Sequence, residues 1–339
     1  MLVQLKRIGD VILTTPALIA LRAHFPAAHL TVAIDANAAG LAGALPADEI
    51  LVRRPGDLGF WQKAVTGGFD VTLDFTGNDR SALVSVLSRA PRRLTYERFA
   101  KKPLRRWIYT DFVDSSVRDR HTADHHTDLL GPLGINAANV PSQLDLPASA
   151  HAEAEEALAD HGIDGEFTIF HPGTARPEKY WPDENWAELI GRVPGPLVLT
   201  GSADPTEQSH LTRILKRLTP DHQKRSPAFL AGKLTLAGTA ALIERAALVI
   251  AVDSAPVHLA DALGTPVIAL FGPTNPHHWC PRGPKATVIH PSNEITPRTP
   301  RHPMSDLTVE SVVQACAAKA ESLRALAASR DPQRGLDSG

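Results

Sequence analysis

Cysteine is scarce in this chain: Cys280 and Cys316 are the only two. Two thiols build neither a disulfide framework nor a metal cluster. No apolar run approaches the ~18 residues that span a bilayer. The N-terminus has no basic region ahead of a long apolar stretch, so no signal peptide is expected and the expected compartment is the cytoplasm. Net charge is low as well, -2 over 339 residues. That excludes nucleic-acid binding by bulk electrostatics but leaves room for a local basic patch. Two motifs are also missing. Without G-x-G-x-x-G after the first strand an NAD site is disfavoured. Without an Asp-x-Asp triplet, so is a metal-dependent sugar-nucleotide site that relies on one.

What is present is alternation of strand and helix. Strands are expected at 2–5, 30–34, 71–74, 166–170, 196–200, 247–252 and 266–271. Helices are expected up to about 24 and at 81–88, 151–161, 183–193, 206–218 and 236–246. In the first helix, Pro16 either starts the regular part with Thr15 as N-cap or kinks it. Such alternation predicts parallel sheets covered on both faces. The length suits two domains of about 150 residues. A proline-containing stretch at 141–150 is the linker candidate. The expected division is 1–147, 148–329 and a polar, frayed tail at 330–339.

Five segments carry candidate chemistry. Asp253-Ser254-Ala255-Pro256-Val257-His258 follows an apolar strand and opens a helix, where free N–H groups suit an anion such as a phosphate. His258 fits a packed or capping role there, since no second His or Cys lies at metal-ligand spacing. Arg7-Ile8-Gly9-Asp10 lies just past the first strand, at the sheet edge where ligands bind. Gly9 permits close approach to the backbone. Asp10 suits a general base or an N-cap. In the loop 171–182, Lys179 is either a counter-charge for a diphosphate or a solvated lysine. Glu207 is either a ribose ligand or a first-turn acid favoured by the helix dipole. Finally, 89–106 holds Arg89, Arg92, Arg93, Arg98, Lys101, Lys102, Arg105 and Arg106 against one acid, Glu97. Such an unbalanced segment suits acidic ligands or an anionic lipid face.

Taken in order, these segments resemble glycosyltransferase family 9, the ADP-heptose:lipopolysaccharide heptosyltransferases. Residues 7–18 look like that family's opening motif. His171-Pro172-Gly173 with Lys179-Tyr180-Trp181-Pro182 looks like its central one, and 253–274 is the most specific match. Two departures stand out: Ala255 occupies a usual glycine position, and 302–308 lacks the family's late cysteine.

The resemblance implies a GT-B fold of two facing Rossmann-like domains with a cleft between them. It implies Asp10 as general base and Thr174 and Lys179 at the donor diphosphate. Glu207 would bind the ribose and Asp253 the donor sugar, with Ser254, Ala255 and His258 in the phosphate turn. The expected reaction is inverting, metal-independent transfer from ADP-heptose to the anionic lipopolysaccharide core, with no cofactor. Gly9, Arg92, Arg93, Arg98, Lys101, Lys102 and Arg105 are the expected acceptor side, in peripheral contact with the inner membrane. Two rivals remain: an epimerase or hydrolase on the same fold, which would need no acceptor, and a nucleotide-sugar sensor, which would have no use for Asp10.

Overall fold

The computed structural model describes residues 1–220, 226–292 and 294–330, the last eight by backbone alone. Arg330 ends the helix Val309–Arg330; the rest of the tail expected at 330–339 lies outside the described residues. Two parallel six-stranded sheets form the frame. The first contains β1 (Leu2–Gln4), β2 (Thr31–Asp35), β3 (Glu49–Arg53), β4 (Val71–Asp74), β5 (Arg92–Tyr96) and β6 (Asp111–Val113), in the order β3-β2-β1-β4-β5-β6. The second contains β7 (Thr168–His171), β8 (Leu197–Leu199), β9 (Ala228–Phe229), β10 (Leu248–Val252), β11 (Val267–Leu270) and β12 (Ala286–Ile289), in the order β12-β11-β10-β7-β8-β9. The central strands read as continuous apolar runs because helices cover both faces. Val249, Ile250, Ala251 and Val252 are fully buried.

Both strand orders reverse direction once, between β1 and β4 and between β7 and β10. In open α/β sheets such a reversal opens a crevice at the C-terminal ends of the strands. The two sheets also share apolar packing. Ile12, Leu41 and Ala44 from the first half belong to one buried cluster with Ala240, Ile243 and Val257 from the second. Gly40 lies so close to Leu236 that an added Cβ would sit 2.7 Å from the Leu236 Cβ.

The start of the chain differs from the expected turn and single helix. Gly9 and Asp10 lie inside a short helix, Ile8–Ile12, and a second helix, Thr15–His24, begins after a break. Pro16 causes the break, since it has no N–H to continue the ladder. Threonine hydroxyls satisfy the carbonyls freed by it: Thr15 Oγ1 donates to Ile12 O (2.7 Å) and Thr14 Oγ1 to Asp10 O (2.8 Å). The N-cap is Thr14, one residue earlier than expected. The helix expected from 151 instead covers Ala148–Ala159 and takes in the end of the proposed linker.

Candidate functional site

The second sheet gathers three loops at its reversal point. Asp253 directly follows β10, the loop with Thr174 and Lys179 follows β7, and Glu207 lies in the helix Pro205–Lys216 after β8. Lys179 is not a solvated loop lysine. It is 9% exposed, and its Nζ donates to Asp253 Oδ2 at 2.5 Å and to Asp253 O at 3.2 Å. This pair spans the crevice between β7 and β10.

Glu207 is also buried. Its Oε1 accepts from Ser202 N and its Oε2 from Ser202 Oγ, both at 2.7 Å. Gly173 lies against this carboxylate, where a Cβ would fall 1.8 Å from Glu207 Oε1. Thr174 is buried beside it, and its Oγ1 accepts from Arg176 N at 3.3 Å.

Ser254 is the N-cap of the helix Ala255–Ala262 but does not cap it with its side chain; its hydroxyl donates to Val252 O at 3.0 Å. The first turn of that helix therefore has no cap from the Ser254 side chain, and Val257 N donates to Ser254 O at 3.2 Å. Ala255 is the first helical residue, and the left-handed non-glycine residues are Arg89 and Asn139 among those described. An alanine thus fits the backbone there without strain, and its methyl group is the whole departure from glycine.

His258 joins the halves. A Cβ on Gly9 would lie 2.9 Å from His258 Cδ2, so the helix Ile8–Ile12 packs directly on the helix Ala255–Ala262. The close approach expected at Gly9 is made by this imidazole. Burial pushes the His258 pKa down, while Asp253, Asp261 and Asp10 oppose that shift. His258 Nδ1 is buried without a hydrogen-bond partner among the described residues. Asp10 Oδ1 lies 3.7 Å from Lys6 Nζ, with its side chain 12% exposed.

A buried network that the motifs did not point to holds this helix. Thr14 Oγ1 accepts from Gln4 Nε2 at 2.9 Å and lies 3.2 Å from His126 Nδ1. His126 Nδ1 also lies 3.0 Å from Leu13 O, and burial lowers its pKa to about 3. The adjacent pair His125-His126 was the available signal. Among the described residues no three or more His, Cys, Asp or Glu side chains are grouped to hold a metal ion.

The structure distributes the basic segment over several places. Arg92 and Arg93 lie at the N-terminal end of β5, the edge away from the site. Arg92 pairs with Asp111 at 2.9 Å, and Arg93 donates to Ile108 O and Ala90 O. Arg105 is 3% exposed and bound to Asp79 Oδ1 at 2.5 Å and Asn78 O at 3.0 Å. All three have partners within the protein, and of them Arg92 keeps its side chain 40% exposed. Arg98 differs. It follows β5 at the site edge, stacks over Tyr96 and Phe99, and makes no ion pair among the described residues. Lys101 and Lys102 beside it are exposed.

The sequence profile of glycosyltransferase family 9 (heptosyltransferase) matches residues 58–305, well over half of the chain. The chain belongs to this family. As a family 9 glycosyltransferase it is 23% identical to lipopolysaccharide heptosyltransferase 3 of Escherichia coli over 288 residues, which cover 80% of this chain and 83% of that protein. The crystal structure of the family 9 glycosyl transferase from Veillonella parvula superposes with a TM-score of 0.79 at 25% identity, covering 94% of this chain and 95% of that one. E. coli ADP-heptose lps heptosyltransferase II shares the fold, with a TM-score of 0.78 at 21% identity, covering 95% and 98% of the two chains. The two facing Rossmann-like sheets are the GT-B architecture.

Proposed function

We propose that this family 9 enzyme is an inverting transferase that moves a heptose from ADP-heptose to a sugar hydroxyl of the lipopolysaccharide inner core. The donor is the one for which E. coli heptosyltransferase II is named. Asp10 accepts the acceptor's proton as its oxygen attacks the anomeric carbon. The bond to the diphosphate oxygen breaks on the opposite face, and the configuration inverts. Lys179 and the N–H groups of Ser254 and Ala255 stabilise the departing diphosphate, without a metal ion. Asp253 orients Lys179 and faces the donor sugar. Thr174 lies at the diphosphate, Glu207 at the ribose, and His258 beneath the reacting centre. In this reading residues 148–329 hold the donor and 1–147 the acceptor. Arg98, Lys101 and Lys102 meet the acceptor's acidic groups, at the cytoplasmic face of the membrane.

One observation carries the reading: Gly9 packs on His258, so Asp10 from one half and the Lys179–Asp253 pair from the other flank a single imidazole. A calorimetric donor screen tests it. ADP-heptose should bind at least tenfold tighter than UDP- and GDP-sugars. Preference for a UDP- or GDP-sugar would remove the heptose donor. Rapid turnover of donor without acceptor would point to a hydrolase or epimerase instead.

A further inference from the structure

A buried chain of hydrogen bonds runs from the end of β4 to the helix that carries Asp10. It starts at Asp74, the last residue of β4, which is fully buried. Burying a carboxylate is costly unless donors surround it. Asp74 Oδ2 accepts from Tyr109 Oη, and Oδ1 accepts from Thr76 N at 2.8 Å and Gly77 N at 2.9 Å. Burial pushes the Asp74 pKa up, and these bonds oppose that shift. Arg105 holds the same loop by donating to Asn78 O at 3.0 Å. The carboxylate and the guanidinium together fix residues 76–78.

This loop grips the end of β1. Leu5 N donates to Thr76 Oγ1 at 2.7 Å. The Thr76 hydroxyl proton faces Gln4 Oε1 at 3.3 Å and Val3 O at 3.4 Å. Thr14 gives its single hydroxyl proton to Asp10 O, so it receives the one from Gln4 Nε2, which leaves Gln4 Oε1 toward Thr76. Tyr109, Asp74, Thr76, Gln4 and Thr14 are all buried. A buried polar network that is satisfied throughout is rigid and has one arrangement. It crosses between β1 and β4, where the first sheet reverses and its crevice opens. Leu5 also leads into Lys6, whose Nζ lies 3.7 Å from Asp10 Oδ1.

We infer that Asp74, Thr76 and Gln4 are positioning residues that set Asp10 against the acceptor hydroxyl. This rests on the reading of Asp10 as the base. A general base works only within hydrogen-bond reach of the proton it takes, and a displacement of about 1 Å costs up to about 10²-fold in rate. Single-turnover transfer by variants made in two backgrounds, wild type and Asp10→Asn, tests it. In the wild-type background Thr76→Val should slow transfer at least tenfold, and Thr76→Ser, which keeps the hydroxyl, should restore the rate. Tyr109→Phe, which removes only the outermost donor, should slow transfer about threefold or more. ADP affinity by calorimetry should stay within about twofold of wild type in all three, because the donor half is untouched. In the Asp10→Asn background neither Thr76→Val nor Tyr109→Phe should slow the residual transfer further. Equal slowing in both backgrounds would mark a merely structural role and overturn the proposal. So would a wild-type rate in Thr76→Val. A wild-type rate in Asp10→Asn alone would instead strike the base reading, and the positioning role with it.

Discussion

At the residue scale, the site depends on charges and contacts that only the fold brings together. Lys179 and Asp253 are 74 positions apart and buried against each other. Removing one member of a buried pair leaves an uncompensated charge, at a typical cost of about 3–5 kcal/mol. Lys179→Ala should therefore destabilise the protein by about 3 kcal/mol in urea titration and lower kcat about a hundredfold. Lys179→Met with Asp253→Asn should recover most of the stability and none of the activity. Gly173→Ala should push the Glu207 carboxylate off Ser202 and raise the donor Kd with a smaller change in kcat. The motifs containing Lys179, Asp253 and Gly9 were legible in the sequence because each follows an apolar strand. Their partners were not, since nothing local signals that Lys179 meets Asp253 or that Gly9 meets His258.

At the element scale, the helix Ile8–Ile12 is held from below by Thr14. Thr14→Val should leave the Gln4 amide without its acceptor, costing about 1–3 kcal/mol, and should lower kcat by misplacing Asp10. Urea titration and steady-state kinetics on one preparation check both effects. A second set of contacts joins the halves. His121 Nε2 donates to Cys280 O at 2.9 Å, while its Nδ1 accepts from Ala123 N at 3.2 Å. Arg282 donates to both oxygens of Asp124 at 2.8 Å. The first helix of the chain was only half legible: Pro16 announced an interruption, but where it fell depended on the hydroxyls of Thr14 and Thr15. Strands β3, β5, β6, β9 and β12 were missed. β5 reads Arg-Arg-Leu-Thr-Tyr, and its two arginines, satisfied by Asp111 and by backbone carbonyls, masked the apolar signal.

At the scale of the whole molecule, buried neutral histidines set an acid limit. Burial holds His121 down to about 4 and His126 to about 3, against an ordinary value of 6.5. The unfolded chain binds protons at these sites first, so their stability contribution is complete above about pH 6.5 and is lost as pH falls toward 4. At pH 5 each histidine should withdraw up to about 2 kcal/mol. Urea midpoints measured from pH 7.5 to 5 should fall steeply, and less so in His121→Gln. The alternating pattern made two parallel sheets legible from the sequence. The contact between them was not, because it rests on small residues such as Gly9 and Gly40 that carry no periodic signal.

The proposed transfer requires Asp10 to act as the base toward a donor held by the other half. Single-turnover transfer and donor binding by Asp10→Asn, measured side by side with wild type, test this most directly. Removing a general base costs about 10²–10⁴-fold in rate. Asp10→Asn should keep wild-type ADP-heptose affinity with at least a hundredfold slower transfer. Transfer at the wild-type rate would contradict it.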